Sequence, residues 1–198
     1  MPYIEAAVRR QQFIAAARIA LLAHGVAKTS LRVVAAEAGV PLATMQYVFP
    51  SKEKLLRAVI EDVVDEIAHV LADSAATDQG LANAIRQGLD TYWGQLVRNG
   101  RELQLLQYEL TMYALRTPGH EDLARVQYER YAAVVADWCR HAAEHAGETA
   151  VVSFDHLGRM IVAGVDGLIL QYVCDPDDAR ARKGLEALAE MAKALAGV

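Results

Sequence analysis

The stretch TSLRVVAAEAGVPLATMQYVFPSKEKLL, residues 29–56, decides the fold because it contains two short helices and a tight turn. Ser30 is placed to cap the first of these helices, in which apolar residues recur at helical spacing. Gly39 ends that helix, since glycine tolerates the positive φ of a tight turn. Pro41 suits the first turn of the next helix, which ends before Pro50. Two short helices joined in this way predict a helix-turn-helix.

Helical periodicity extends on both sides of this motif. A first helix is predicted from Val8 to His24, ending at Gly25, and a long fourth helix follows the cap Ser51 from Lys52 to about Ala75. Further helices are expected at about 81–98, 101–115, 120–146, 153–174 and 178–196. The fold class is therefore all-α, with about nine to ten helices in an N-terminal three-helix helix-turn-helix head and a C-terminal helical bundle body.

The third helix of the head has an inward and an outward face. Met45 and Phe49 supply the inward face, Val40 drops into the core beneath the turn, and Ala35 is small where two helices cross closely. The outward face is left with five residues, Leu42, Ala43, Thr44, Gln46 and Tyr47. In a helix-turn-helix the exposed side of this helix reads base edges in the major groove of DNA.

The charge of the chain is unevenly distributed between the head, residues 1–57, and the body, residues 58–198. The head carries eight Lys and Arg against three acids, and the body carries twelve against twenty-two. The net charge of −5 therefore combines a basic head with an acidic body. A local basic region of this kind suits contact with nucleic acid phosphates.

The composition of the chain limits the cellular compartment in which we expect the protein and the groups that it could bind. The chain is 54% hydrophobic and has only five prolines, yet no apolar run approaches the roughly 20 residues that span a bilayer. The first ten residues lack the pattern of a signal peptide, so we expect a cytoplasmic protein without a membrane partner. Cys139 and Cys174 lie far apart and lack metal-ligand spacing, which favours two reduced thiols and neither a metal nor a cofactor.

Residues 29–40 and 45–56 resemble the TetR (tetracycline-repressor-like) family, through the Gly39-Val40 turn, the aromatic Phe49 and the Pro-Ser-Lys-Glu start of the fourth helix. The resemblance covers about residues 9–60. It implies a transcriptional regulator, expected to be a repressor that binds a palindromic operator as a dimer and is released by a small-molecule effector. The body, residues 58–198, would then serve ligand binding and dimerisation.

The resemblance also assigns contacts with the DNA backbone. Thr29 and Ser30 would meet a phosphate at a helix N-terminus, where backbone N–H groups and the helix dipole favour an anion. Lys52 matches the family lysine that pairs with a phosphate, and Tyr47 matches the second aromatic of the usual tyrosine pair. Arg32, beside the capped N-terminus, is a further candidate, with a solvated helix charge as the alternative.

Three positions of the reading face depart from the family pattern. Pro41 replaces the usual cap, Leu42 stands where polar or basic residues are frequent, and Gln46 replaces the first tyrosine. Glutamine pairs bidentately with adenine, and a leucine packs on a thymine methyl. We therefore expect a preference for A·T pairs at one or two positions of each half-site.

The helix from Phe154 to Cys174 is apolar nearly all round, so it must be buried on more than one side. It resembles the penultimate helix of the family, which forms a four-helix bundle across a two-fold axis. On this basis the predicted interface of a homodimer contains Trp138, Leu157, Ile161, Val165 and Leu168. The alternative is that this helix is only the core of the monomer.

Residues 85–135 are rich in amphipathic aromatics and methionine. The family resemblance implies a small effector, and such pockets are mostly apolar with few polar anchors. The candidate pocket residues are Tyr92, Trp93, Tyr108, Met112, Tyr113, Tyr128 and Tyr131, which predict a largely apolar ligand; each can equally be core or dimer surface.

Two other classes of protein are alternatives, a helical-bundle enzyme and a helical interaction module. Glu66 and His69 have the Glu-x-x-His spacing of a carboxylate-bridged metal enzyme, but such a site needs two of these motifs and two further glutamates. His141 and His145 share a helix face without the glutamate of a zinc protease. A helical interaction module without DNA binding would leave the basic head unexplained. We therefore predict that the chain is not an enzyme.

Overall fold

The computed structural model describes residues 6–73, 79–98 and 100–198, and these contain helices and turns but no strand. Nine α-helices occur in this part of the chain: α1 Ala6–Lys28, α2 Leu31–Glu37, α3 Leu42–Val48, α4 Lys52–Asp73, α5 Leu81–Tyr92, α6 Arg101–Arg116, α7 Glu121–Ala146, α8 Phe154–Cys174 and α9 Asp178–Ala196. A π-helical turn, Trp93–Val97, continues α5. The all-α prediction is confirmed, and most predicted helix ends fall within two residues of the observed ones.

Two predicted helix ends need correction. The backbone of α1 leaves helical geometry at Gly25, with φ 75° and ψ 163°, so the predicted break is present, but one more helical turn follows it in place of a left-handed cap. Pro41 precedes α3 as its N-cap, with ψ 144°, and does not occupy the first helical turn. The predicted end of the fourth helix at Ala75 lies outside the described residues.

The structure divides into two compact units. The first contains the described residues up to Val63 together with Leu105–Gln127, and the second contains those of Val64–Gln104 and Tyr128–Val198. The predicted boundary after residue 57, between a DNA-binding domain and a ligand-binding and dimerisation domain, stays a prediction. Within the first unit, Glu109 of α6 accepts from Val26 of α1, and Asp122 at the start of α7 accepts from Arg57 of α4.

The core of the first unit is apolar, and most of the residues given below come from helices that follow one another in the chain. Gly39 adopts a φ of 65° in the turn between α2 and α3, and Val40 N–H donates to Ala35 O at 2.9 Å. Val40 itself is half-buried, so it contributes less to the core than predicted. Buried side chains of the four N-terminal helices fill the space beneath the turn: Phe13, Ile14, Leu21, Val34, Ala35, Met45, Phe49, Leu55, Leu56 and Val59.

The core of the second unit depends on close helix packing. A Cβ added at Gly158 of α8 would lie 2.6 Å from Ala132 O and 2.9 Å from Ala136 N of α7, so glycine is required there. On another side of α8, the side chain of Leu188 from α9 covers Gly164. Helix α8 therefore packs against two neighbours within one protomer, as its apolar character predicts.

Helix α8 also corrects the expectation about apolar length. It is the one helix among the described residues that is long and apolar enough, by length and composition, to cross a membrane. Its Leu157, Ile161 and Ile169 are buried inside the protein, and Asp166 lies in its middle. The core helix of a globular protein passes the same test of length and composition, and 33% of the apolar window of α8 is buried inside the protein.

Candidate DNA-binding site and effector-binding body

The exposed face of α3 is held in place by two buried anchors. Met45 is fully buried and Phe49 is 2% exposed, whereas Tyr47 between them is 88% exposed. Gln46 and Ala43 are also exposed, and Leu42 and Thr44 are half-buried. Because Met45 and Phe49 fix the helix against the core, the side chains between them point away from the protein. The five predicted reading residues are therefore accessible, with Tyr47 protruding furthest, while their contacts with DNA stay predictions.

Helix α2 begins with a side-chain cap. Ser30 Oγ accepts a hydrogen bond from Val33 N–H at 3.3 Å, as predicted for an N-cap. Arg32, two residues further along, is exposed and has no ion-pair or hydrogen-bond partner among the described residues. Its guanidinium is thus available for a phosphate. Ser30 and Arg32 are both on the accessible surface where a DNA backbone contact is predicted.

Thr29 does not fit its predicted contact with phosphate. The residue is 3% exposed, and its hydroxyl lies 2.8 Å from Gly25 O and 3.2 Å from Ala20 O. It therefore donates to a carbonyl near the end of α1, and the same Gly25 oxygen also accepts the backbone N–H of Thr29 at 3.2 Å. This corrects the sequence prediction: Thr29 is a structural residue that closes α1.

Lys52 has an internal partner in this conformation. Its Nζ donates to Val26 O at 2.5 Å and lies 4.6 Å from the centroid of the Tyr113 ring. The ammonium thus binds the C-terminal carbonyls of α1, where the helix dipole favours a cation. A contact between Lys52 and a phosphate would require this side chain to leave Val26 and Tyr113.

Both the N–H and the carbonyl of Val26 have a side-chain partner. Its N–H donates to Glu109 Oε1 of α6 at 2.7 Å, while its carbonyl accepts from Lys52. A Cβ at Gly25 would lie only 2.7 Å from the same Glu109 oxygen, so glycine admits the carboxylate as well as the positive φ. Glu109 was missed in the sequence. The signal was Gly25, because a helix break leaves the next N–H groups in need of an acceptor.

Two basic residues of α1, Arg10 and Arg18, are paired with α4 inside the first unit. Arg18 Nη1 lies 2.8 Å from Asp62 Oδ2, and Arg10 lies 3.5 Å from Glu61 and over the ring of Phe49. These bonds make Arg10 and Arg18 structural in this conformation. The part of the basic surface that favours DNA therefore lies closer to α2 and α3.

The seven aromatic and methionine candidates for the effector pocket do not form one cluster. Tyr108, Met112 and Tyr113 belong to the first unit, where Met112 is exposed and Tyr113 is covered by Lys52. Tyr92, Trp93, Tyr128 and Tyr131 belong to the second unit. Trp93 is a buried core residue whose ring meets Tyr172 edge-on, with centroids 5.3 Å apart.

One of the other three tyrosines, Tyr128, donates to a carboxylate of α8 that the sequence analysis missed. Tyr128 Oη donates to Asp166 Oδ2 at 2.8 Å, and the Tyr131 ring meets Tyr128 edge-on with centroids 6.0 Å apart. Burial, and after it the charge of Asp166, raises the pKa of the Tyr92 hydroxyl well above its usual range. The available signal was an acidic residue in the middle of the apolar helix α8.

Of the five predicted dimer residues, three are buried within one protomer and two, Trp138 and Leu168, are half-buried. Leu157, Ile161 and Val165 are buried inside one protomer, so they are not available to form an interface between two. Leu168 lies against Gly184 of α9, and Trp138 against Gly88 of α5. The exposed apolar and small residues of α8 form a different stripe at helical spacing: Met160, Ala163, Gly167 and Leu170. On α9 the exposed apolar position is Met191.

Comparison with known proteins agrees with this architecture. Residues 13–59 match the family model described as "Bacterial regulatory proteins, tetR family", and residues 76–195 match "Tetracyclin repressor-like, C-terminal domain". Together the two matches span most of the described head and body. The chain belongs to the TetR family. Members of this family are transcription factors, and the helix-turn-helix of α2 and α3 is their DNA-binding motif.

Individual TetR-family relatives support the same assignment. The HTH-type nicotine-responsive transcriptional repressor HdnoR of Paenarthrobacter nicotinovorans is 30% identical over 173 residues, 87% of each chain. A crystal structure of the multidrug binding protein EbrR complexed with imidazole has 30% identity and a TM-score of 0.66, covering 91% of this chain and 94% of that one. A TetR-family regulator from Rhodococcus sp., with 18% identity and a TM-score of 0.77 over 95% and 98% of the chains, shows the fold alone.

The histidines considered for metal binding have local partners in this TetR-family chain. His69 is exposed, and its Nδ1 lies 2.6 Å from Asp65 O one turn earlier. His141 and His145 stack on the surface of α7, with centroids 5.8 Å apart. Among the residues described, no group of three or more metal-ligating side chains comes together.

Proposed function

We propose that this TetR-family chain is a repressor that binds a palindromic operator as a homodimer in the cytoplasm and is released by a small-molecule effector. The observation that carries the proposal is the accessible face of α3, with Gln46 and Tyr47 projecting between the buried Met45 and Phe49. A major groove admits one α-helix, and side chains on such a face reach base edges.

Backbone contacts position this face and base contacts select the sequence. Ser30, Arg32 and Tyr47 are the accessible groups that would bind phosphates, and Lys52 joins them if it leaves Val26. Gln46 and Leu42 would favour adenine and thymine, with Ala43 and Thr44 lining the same surface. The operator should therefore contain A·T pairs at one or two positions of each half-site.

A homodimer is supported by the exposed stripe of α8, Met160, Ala163, Gly167 and Leu170, together with Met191 of α9. Contiguous apolar surface of this kind marks an interaction site. Two-fold symmetry of the protein would match two half-sites centred about 34–36 Å apart or at a multiple of that distance.

Release by a small molecule is supported by what similar proteins bind. The name of HdnoR describes it as nicotine-responsive, and EbrR was crystallised with imidazole and with malachite green. SmeT, another similar structure, is the repressor of a multidrug efflux pump. We infer that an effector binds the body of this chain and shifts a two-state equilibrium towards a form with low affinity for the operator.

The proposal is tested by footprinting the full-length protein on the intergenic DNA beside its own gene. We expect one protected, palindromic region and an affinity that falls steeply with salt concentration. Arg32→Ala should weaken binding and lower the salt slope by about two counterions, one for each protomer of the dimer. Arg86→Ala removes the same charge from α5 and should change neither. Equal affinity for operator and unrelated DNA, or no protection at all, would overturn the proposal.

A further inference from the structure

The ammonium group of Lys52, the first residue of α4, is held by three groups from two other helices of the first unit. Its Nζ donates to Val26 O at 2.5 Å and lies 3.5 Å from Ala27 O, both in the last turn of α1. It also lies over the ring of Tyr113 in α6, 4.6 Å from the ring centroid. We call these two carbonyls and this ring the lysine site. An ammonium carries three N–H donors, and the lysine site offers a partner for each of them.

The contacts around the lysine site hold its parts in place. Its two carbonyls belong to the end of α1, where carbonyl groups lack helical N–H partners and the helix dipole favours a cation. Val26 is fully buried, and its N–H donates to Glu109 Oε1 at 2.7 Å. The Tyr113 ring meets His120 edge-on, with centroids 5.9 Å apart. These contacts preorganise the site for the ammonium, so the bound position of Lys52 is a defined state of the protein.

The partners of Lys52 are uncharged, which distinguishes it from the next basic residue of α4 that is held by partners. Arg57 forms ion pairs with Glu53 at 3.4 Å and with Asp122 at 2.9 Å. Lys52 has no carboxylate partner among the residues that the structure describes. Bonds to carbonyls and contact with a ring leave the positive charge of the ammonium in place. A phosphate that takes up Lys52 therefore gains a charge pair without breaking one, whereas the same step at Arg57 would break two.

We propose that the lysine site competes with a DNA phosphate for Lys52, and that Tyr113 is a positioning residue that limits operator affinity through this competition. The inference rests on the proposed function, because the phosphate belongs to the operator. The apparent affinity scales with the fraction of protein in which Lys52 has left the lysine site. The ring stabilises the bound position of Lys52, since cation–π attraction increases as the cation is desolvated. Loss of the ring should therefore strengthen DNA binding, whereas loss of a merely structural residue would weaken it.

The first test measures the operator affinity of full-length variants by fluorescence anisotropy, with the footprinted operator as the probe. Tyr113→Leu removes the ring, and we expect it to bind about tenfold more tightly than wild type, with a factor of about three from each protomer of the dimer. Tyr113→Phe keeps the ring and should match wild type. Tyr113→Met is the second variant if Tyr113→Leu does not fold. Unchanged or weaker operator binding by the folded variant without the ring would overturn the proposal.

The second test shows whether Tyr113 acts through Lys52. Lys52→Gln removes the charge and should lower the salt slope of operator binding by about two counterions, one for each protomer. In this background, Tyr113→Leu should no longer change the affinity. Lys183→Gln, at an exposed position of α9, is the control and should leave the salt slope as in wild type. The proposal is wrong if Lys52→Gln does not lower the salt slope, or if Tyr113→Leu still strengthens binding in that background.

A measurement without DNA separates this inference from the proposed function. An amine-reactive reagent should label Lys52 in proportion to the fraction of protein in which it has left the lysine site, and peptide mass spectrometry measures the rate. We expect Tyr113→Leu to raise this rate about threefold and Tyr113→Phe to leave it unchanged. Equal rates in Tyr113→Leu and wild type refute the inference and leave the repressor intact. Absence of operator binding by the wild type refutes the proposed function itself.

Discussion

The recognition helix α3 and the body helix α8 both divide their side chains between a buried and an exposed face, but the exposed faces differ in chemistry. On α3 the buried residues are Met45 and Phe49, and polar Gln46 faces outwards beside Tyr47. On α8 the buried Leu157 is apolar, and so are residues of the exposed stripe. A polar exposed face suits a surface that is solvated whenever DNA is not bound, whereas an apolar exposed face suits a surface that a protein partner covers permanently.

The largest effect should come from the anchor that holds the reading face. Met45→Ala removes a fully buried side chain, and large-to-small core substitutions of this type cost about 2–5 kcal/mol. We expect this loss in the free energy of unfolding by urea, followed by circular dichroism. Its exposed neighbour provides the control: Gln46→Ala should change stability by less than about 0.5 kcal/mol. Similar losses in the two variants would remove the distinction between anchor and reading face.

A charge introduced into the exposed stripe of α8 should weaken the proposed dimer. Leu170 is 51% exposed in one protomer, and Leu170→Glu would place an unpaired carboxylate in the proposed dimer interface. The dimer dissociation constant should rise about a hundredfold, the equivalent of about 2.7 kcal/mol. Sedimentation equilibrium measures this constant. Leu105→Glu, at an exposed apolar position of α6, is the matched control and should leave it unchanged. A dimer that survives Leu170→Glu places the interface elsewhere.

The bond between Glu109 and the peptide after Gly25 should stabilise the first unit. Val26 is fully buried, so Glu109→Ala leaves its N–H without an acceptor at a cost of about 1–3 kcal/mol. Glu109→Gln retains an amide oxygen and should recover most of that loss. Urea unfolding of the two variants at equal protein concentration makes the comparison. Equal stability of Glu109→Ala and wild type would show that water satisfies the Val26 N–H.

The residues of the helix-turn-helix show which features can be predicted from the sequence alone. The cap Ser30, the turn at Gly39 and the anchors Met45 and Phe49 were predictable because capping, positive φ and polarity contrast act within a few residues of the chain. Helix α8 is apolar nearly all round, so the spacing of its apolar residues does not distinguish the face in the core from the face on the surface. Most of the predicted interface residues lie on the buried face.

Other features depend on partners distant in the chain. Thr29 was expected on the surface because the sequence does not show that Ala20 and Gly25 offer their carbonyls to it. Asp166 accepts a hydrogen bond from Tyr128, which lies 38 residues earlier in the chain. Lys52 likewise meets Val26 and Tyr113, which no local pattern brings together. Tertiary packing decides each of these contacts.

The smallest effect concerns the two cysteines, which differ as the two faces of α8 do. Burial raises the pKa of the Cys139 thiol to about 12, whereas Cys174 at the end of α8 is exposed. The thiolate is the reactive form, so Cys139 should be inert at pH 8. A Cys174→Ser variant should react with a thiol reagent only after unfolding in urea. Rapid labelling of the native variant would contradict the burial of Cys139.

The central claim is that the exposed face of α3 reads the operator, and binding-site selection from random DNA tests it most directly. Wild-type protein should enrich a palindrome with A·T pairs at one or two positions of each half-site, and Gln46→Ala should lose the preference at a position that its glutamine contacts. The rest of the palindrome should persist, because Ser30, Arg32 and Tyr47 are unchanged. An identical selected sequence for wild type and Gln46→Ala would contradict the account.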